Sequence, residues 1–140
     1  SEVCHRITFL YSLLYEHAQL NQATHDALHE MFGVANIRTM EHLARLVRTG
    51  HLVDFEGGEV YMNHLERLAV PITFIHGGEN QCFLPESTER TYEALRAANG
   101  AGLYKRHVIA GYGHIDCIFG KNAVRDVYPH MLAHLEETAR

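Results

Sequence analysis

Two short apolar runs, each closed by glycines, constrain the fold of this chain more than any other feature. Pro71-Ile72-Thr73-Phe74-Ile75-His76 leads into Gly77-Gly78-Glu79-Asn80, and Tyr104-Lys105-Arg106-His107-Val108-Ile109 leads into Gly111-Tyr112-Gly113-His114. The first run is continuously apolar and opens on proline, the pattern of a strand covered on both faces of a parallel sheet. Between the two runs, Pro85 stands near a first helical position and Ser87 or Thr88 can cap; the helix they start should end at Gly100. A last helix is expected from Ala123 to about Thr138, its stripe of Val124, Val127, Met131, Leu132 and Leu135 facing a core. Residues 69–140 therefore read as βαβα with parallel strands. A histidine set between glycines at a strand end lies on a tight turn that can project its imidazole from the sheet edge, where α/β enzymes hold their chemistry.

Residues 1–68 read as helical. The first 16 residues carry apolar side chains nearly all round (Val3, Ile7, Phe9, Leu10, Leu13, Leu14) and predict a buried helix or helix pair. Thr24 can cap a short helix that stops at Gly33. Asn36 or Thr39 can start another, with Met40, Leu43, Leu46 and Val47 at helical intervals and Gly50 at its end. Asp54 and Gly57-Gly58 mark a loop, and a boundary near Leu68 separates this half from the next. Only two strands are predicted. A two-stranded parallel sheet is not stable by itself, and its open edges invite pairing. The chain is thus expected to oligomerise, swap strands or complete a larger sheet.

Composition bounds the function. A net charge of -5 without a basic run argues against binding nucleic acid or an anionic membrane. No apolar segment approaches the roughly 20 residues of a membrane span, and the opening lacks the basic region of a signal peptide. The absence of an initial Met reads as a processed product or an excised piece. Cys4, Cys82 and Cys117 are odd in number and lack CxxC spacing, which favours reduced thiols in the cytoplasm.

Three segments give a family likeness: YGHIDCIFG (112–120), PITFIHGGEN (71–80) and MEHLARLVRTGHLVDFE (40–56). The first is similar to the histidine segment of lipases, the second to a proline-led strand with its G-x-x-acid turn, the third to the cap-to-core passage of acid lipases. Together, and in this order, they resemble the C-terminal part of the α/β-hydrolase family. They are closest to its acid-lipase-like branch and to the hydrolase-like module found with glucose-methanol-choline oxidoreductases of cholesterol-oxidase type. The resemblance implies a C-terminal fragment of that fold, a cap-like helical half followed by core. It places His114 on the general base and Asn80 on the position of the orienting acid, with Glu79 beside it; either could hold the ring. Asn can hold an imidazole but cannot stabilise imidazolium as a carboxylate does. Asp116 is expected to brace the turn.

The nucleophile is missing. The family carries it in a G-x-S-x-G elbow, whereas Ser1, Ser12 and Ser87 have no such flanks, and no oxyanion-hole glycine motif occurs. The resemblance therefore implies a serine-type ester hydrolase of apolar substrates only when a nucleophile-bearing segment completes the site. The isolated chain is expected to be inactive. The competing expectation is a non-catalytic interaction module, self-associating or paired with a flavin-dependent oxidoreductase.

Other candidates are weaker. Cys82 and Cys117 follow the two functional turns, but a nucleophilic role needs a depressed thiol pKa, and small buried fillers are the favoured reading. Among 12 histidines, His25/His29 and His130/His134 stand at i,i+4. They lack the HExxH glutamate and an evident third ligand, so exposed helix histidines are expected and no metal site. Gly57-Gly58 and Gly77-Gly78 lack the rest of a phosphate-binding motif, and no cofactor is expected.

Overall fold

A computed structural model describes residues 2–34 and 36–139, without the side chains of Glu2, Val3, Leu10 and Tyr11; the burial expected of Val3 and Leu10 falls outside the described residues. Helix α1 (Glu2–Tyr11) ends at Ser12, and an irregular stretch leads to a 3-10 turn at His17–Gln19. Helix α2 (Gln22–Met31) is capped by Asn21, whose side chain accepts from Thr24 N–H, so the cap lies three residues before the threonine expected to provide it. Asn36 caps α3 (Ile37–Thr49) and Gly50 ends it. A loop and a kinked 3-10 segment, Met62–Leu68, then lead to the α/β part: β1 (Ile72–Gly77), α4 (Pro85–Asn99), β2 (Tyr104–Ile109), α5 (Asp116–Phe119), α6 (Ala123–Asp126) and α7 (Tyr128–Thr138).

The chain is mixed α/β with a two-stranded parallel sheet among the described residues, Ile72 paired with Tyr104 through Gly77 with Ile109. Side chains alternate along a strand, and this decides what each helix meets. Phe74 packs edge-on against Tyr92 of α4, His76 reaches Thr88, and Arg106 bonds Thr88 Oγ1 and the Pro85 carbonyl. Thr73, Ile75, His107 and Ile109 point the other way. Thr73 meets His134, His107 stacks on His130 at 4.0 Å, and Ile75 and Ile109 join the core with Tyr128 and Met131. The sheet is thus layered between α4 and α7. His130 and His134 are half-buried sheet contacts, not the exposed helix histidines expected.

The last helix is not continuous. Val127 breaks it at φ −118°, two residues before Pro129, which lacks the N–H that an unbroken helix would use and restricts the residue before it. The break resets the helical phase. Val127 is fully buried and Met131 partly so, while Val124, Leu132 and Leu135, expected in one stripe, are exposed.

Two apolar clusters form. Cys4, Ile7, Leu14, Tyr15, Leu20 and Leu28 make the first, with Cys82 and Ile115 against it; Tyr112, Cys117, Ala123 and Val127 make the second. Much of the expected core remains outside both. Phe9 is 89% exposed, and on α3 Ile37 is 78% and Val47 75% exposed. Helix α3 is tied to its own loop, by His42 to the Val53 carbonyl and Arg45 to the Glu56 carbonyl. A sheet of two strands offers too little surface to cover these faces.

The sheet closes at its C-terminal end on a pair of glycines. A Cβ built on Gly77 would lie 1.8 Å from the Gly113 carbonyl oxygen, and one on Gly113 would lie 2.8 Å from Tyr15 Cα. Both neighbours are backbone and cannot step aside. Gly77→Ala should therefore destabilise the chain by about 3 kcal/mol, the upper range for overpacking a closed site. Gly33→Ala, with nothing within 4 Å of its Cβ position, should leave the urea midpoint nearly unchanged. Equal midpoints for the two variants would show that the turns do not meet as described.

Candidate functional site

The parallel register puts the turns after β1 and β2 side by side, and backbone hydrogen bonds fasten them. Gly78 N–H donates to the Ile109 carbonyl and Glu79 N–H to the Tyr112 carbonyl, both at 2.8 Å. The second turn is also held from the N-terminal side. The Leu14 carbonyl accepts from His114 N–H and Ile115 N–H, Gln19 Nε2 donates to the Gly111 carbonyl, and the Gln19 carbonyl accepts from Lys121 N–H. Beneath it, fully buried Asp116 accepts from Gly113 N–H at 2.8 Å, the bracing contact. Burial pushes the Asp116 carboxyl up, against the pull of that amide.

Of the two residues expected to orient His114, Asn80 reaches it and Glu79 does not. Glu79 is exposed and contributes through its backbone. Asn80 is buried, with Nδ2 3.3 Å from His114 Nδ1. Its other amide atom is committed: Oδ1 accepts from Cys82 N–H and Phe83 N–H at 3.1 and 3.0 Å. The carbonyl oxygen cannot turn toward the ring without abandoning both bonds, so the network orients the amide. Asn80 donates, and His114 Nδ1 must accept. The neutral ring accordingly carries its proton on Nε2.

That tautomer has a chemical consequence. A general base for a serine needs a free lone pair on Nε2 and a proton on Nδ1 given to an acceptor. Here the hydrogen-bond direction is reversed. His114 offers an N–H outward from an exposed turn and is suited to donate, not to deprotonate.

A pocket of about 230 Å³ opens beside it, lined by His76, Asn80, Phe83, Ser87, Thr88 and Cys117 among others. The Phe83 ring packs on His114 at 5.1 Å. His76, not singled out in the sequence, is buried behind them: Nε2 donates to the Phe83 carbonyl at 2.8 Å and Nδ1 faces Thr88 Oγ1 at 3.2 Å. Its signal was an unusual one, a histidine ending an apolar strand at an alternating position that faces a helix. Burial, and then His76, hold His114 below the ordinary histidine value, with Asp116 opposing. Cys117 is buried and pushed up to about 11 by burial, then by Asp116, and burial raises Cys82. Both stay as thiols at neutral pH, which removes the basis for a cysteine nucleophile.

Compared with family models, with curated proteins and with solved structures, the chain matches none. No helix among the described residues is long and apolar enough to cross a membrane.

Because His114 is held below 6.5, the unfolded chain takes up its proton first on acidification. Its contribution to stability is present above pH 6.5 and is lost as pH falls through the folded pKa. His107, lowered by burial and then by His130, acts in the same sense. Histidine NMR should show His114 titrating below 6.5 with the proton of its neutral form on Nε2. Asn80→Asp keeps the shape, reverses the hydrogen bond, and should raise the His114 pKa by roughly one to three pH units. A wild-type ring protonated on Nδ1 would contradict the assignment.

Proposed function

We propose that this chain is the C-terminal, cap-and-core part of an α/β-hydrolase-like protein, residues 1–68 serving as cap and 69–140 as core. It would present a histidine turn without hydrolysing esters on its own. The observation that carries this is the Asn80–His114 contact across the ends of two adjacent parallel strands. In a completed site of this kind the substrate is an apolar ester, the nucleophile comes from another segment, and His114 is the ring nearest the chemistry. With Asn80 donating to it, such a site would first have to reverse the tautomer.

A second reading draws on that same reversal together with the uncovered apolar side chains of α1 and α3. On it the chain is a non-catalytic association module that adds its two strands to a larger sheet, in another copy or beside a flavin-dependent oxidoreductase of the glucose-methanol-choline type. Both readings need the open strand edges to be paired. Cys4, Cys82 and Cys117 form no disulfide among the described residues, which suits the reducing cytoplasm for either.

Hydrolysis of a p-nitrophenyl ester by the wild-type chain should equal that of His114→Ala and of buffer, while light scattering should give a mass above one chain. A wild-type rate lost in His114→Ala would overturn the inactive reading. A monomer with both edges open would overturn association with a second copy.

A further inference from the structure

We propose that Cys4, His17 and His25 form a binding site for a thiophilic divalent cation, zinc being the natural occupant. The three come from different elements, α1, the His17–Gln19 turn and α2, and each offers a ligand atom within 4.8 Å of the others. Zinc bonds of about 2.0–2.3 Å put tetrahedral ligand atoms roughly 3.3–3.8 Å apart. Rotamer shifts well under a turn of helix would close the cluster around an ion. One edge is already short, Cys4 Sγ lying 3.1 Å from His25 Nε2.

The surroundings are those of a metal-binding imidazole and thiolate. His25 presents Nε2 to the sulfur, while its Nδ1 lies 3.6 Å from the Asp26 carboxylate, beyond hydrogen-bond length but near enough for a small turn of the ring to bring Asp26 into the role of outer partner. Tyr15 is buried, its ring 5.0 Å from that of His17, and its hydroxyl beside Cys4 makes no well-formed hydrogen bond. A metal-bound thiolate at Cys4 would accept from that hydroxyl, where a thiol does so poorly. His17 is exposed and leaves the fourth position to water or to another ligand. His29, the i+4 neighbour of His25, takes no part: its Nδ1 is bonded to the Asp26 carbonyl at 2.8 Å.

The test uses the full chain, purified without a polyhistidine tag and titrated with zinc(II) and with cobalt(II). Wild type should bind one cobalt ion with a thiolate-to-cobalt charge-transfer band and tetrahedral ligand-field bands, and zinc should displace it. Cys4→Ser should abolish the charge-transfer band, and His17→Gln and His25→Gln should each lose the tetrahedral spectrum. Asp26→Asn should weaken zinc binding about tenfold, as loss of an outer partner does. His29→Ala and His130→Ala should bind as wild type. Zinc should raise the thermal midpoint of wild type and not that of Cys4→Ser, with far-ultraviolet circular dichroism reporting whether each variant is folded. Absence of a charge-transfer band in wild type, its persistence in folded Cys4→Ser, or equal loss in His130→Ala would overturn the site.

Discussion

The structure depends on one close approach, the backbone of Gly77 against the carbonyl of Gly113. Parallel pairing alone would bring the ends of β1 and β2 to one side of the sheet, but not into contact. The missing side chain at Gly77 lets the two turns interlock, and the one missing at Gly113 lets the Tyr15 backbone close over the second turn. Three things follow from that contact: Glu79 N–H bonds Tyr112, Asn80 comes under His114, and the His114 turn becomes the seam between the two apolar clusters. Ile115 looks into one cluster while Tyr112 and Cys117 belong to the other. A single turn therefore couples both halves of the core to the imidazole.

At that seam the amide of Asn80 acts as a directional element. A carboxylate in its place would accept from the ring and from the same two backbone amides, because an acceptor can serve on every side. An amide cannot. Once Oδ1 is taken by Cys82 and Phe83, only N–H remains for the ring, and the ring answers with its lone pair. One atom's identity thus sets the proton position on a residue 34 places further along the chain. The burial of the His114 ring, and then His76 behind it, work in the same direction by disfavouring imidazolium.

Local chemistry explains which parts of this were legible in the sequence. The strands, Pro85 at the first helical position of α4 and the stop at Gly50 are decided within a few residues and appear as read. So does the histidine turn, because glycines on both sides leave few other conformations. Of Asn36 and Thr39 it is Asn36 that caps α3, whereas α4 starts after Leu84 with no side-chain cap, so neither Ser87 nor Thr88 caps it. Features decided by distant partners were not legible. The split at Val127 is of another kind: Pro129 is a local signal for it, but the apolar stripe from Val124 to Leu135 is continuous across the break. Where His107, His130 and His134 go depends on which face of the sheet α7 covers, and periodicity within α7 does not contain that information. The exposure of α3 has the same origin. Its amphipathic pattern states that it has a buried face, not that this chain supplies the partner.

The N-terminal stretch connects the proposed cation site to the histidine turn. Leu14, whose carbonyl holds the amides of His114 and Ile115, adjoins Tyr15; His17 follows two residues later, and Gln19 holds Gly111 and Lys121. Between Leu14 and Gln19 the backbone is irregular or 3-10, so little within the segment itself fixes its path. Its order comes from what it touches: the His114 turn along one side, Cys4 and His25 along the other. A cation bridging α1, this segment and α2 would remove the remaining freedom of the ligand side chains at His17, three residues from the carbonyl that anchors His114. Restraining that carbonyl restrains the imidazole, since the His114 amide and its ring share one short turn. The two sites are thus consecutive fastenings of a single strap, and an ion at the first would bear on the second only through this backbone, not through direct contact with His114.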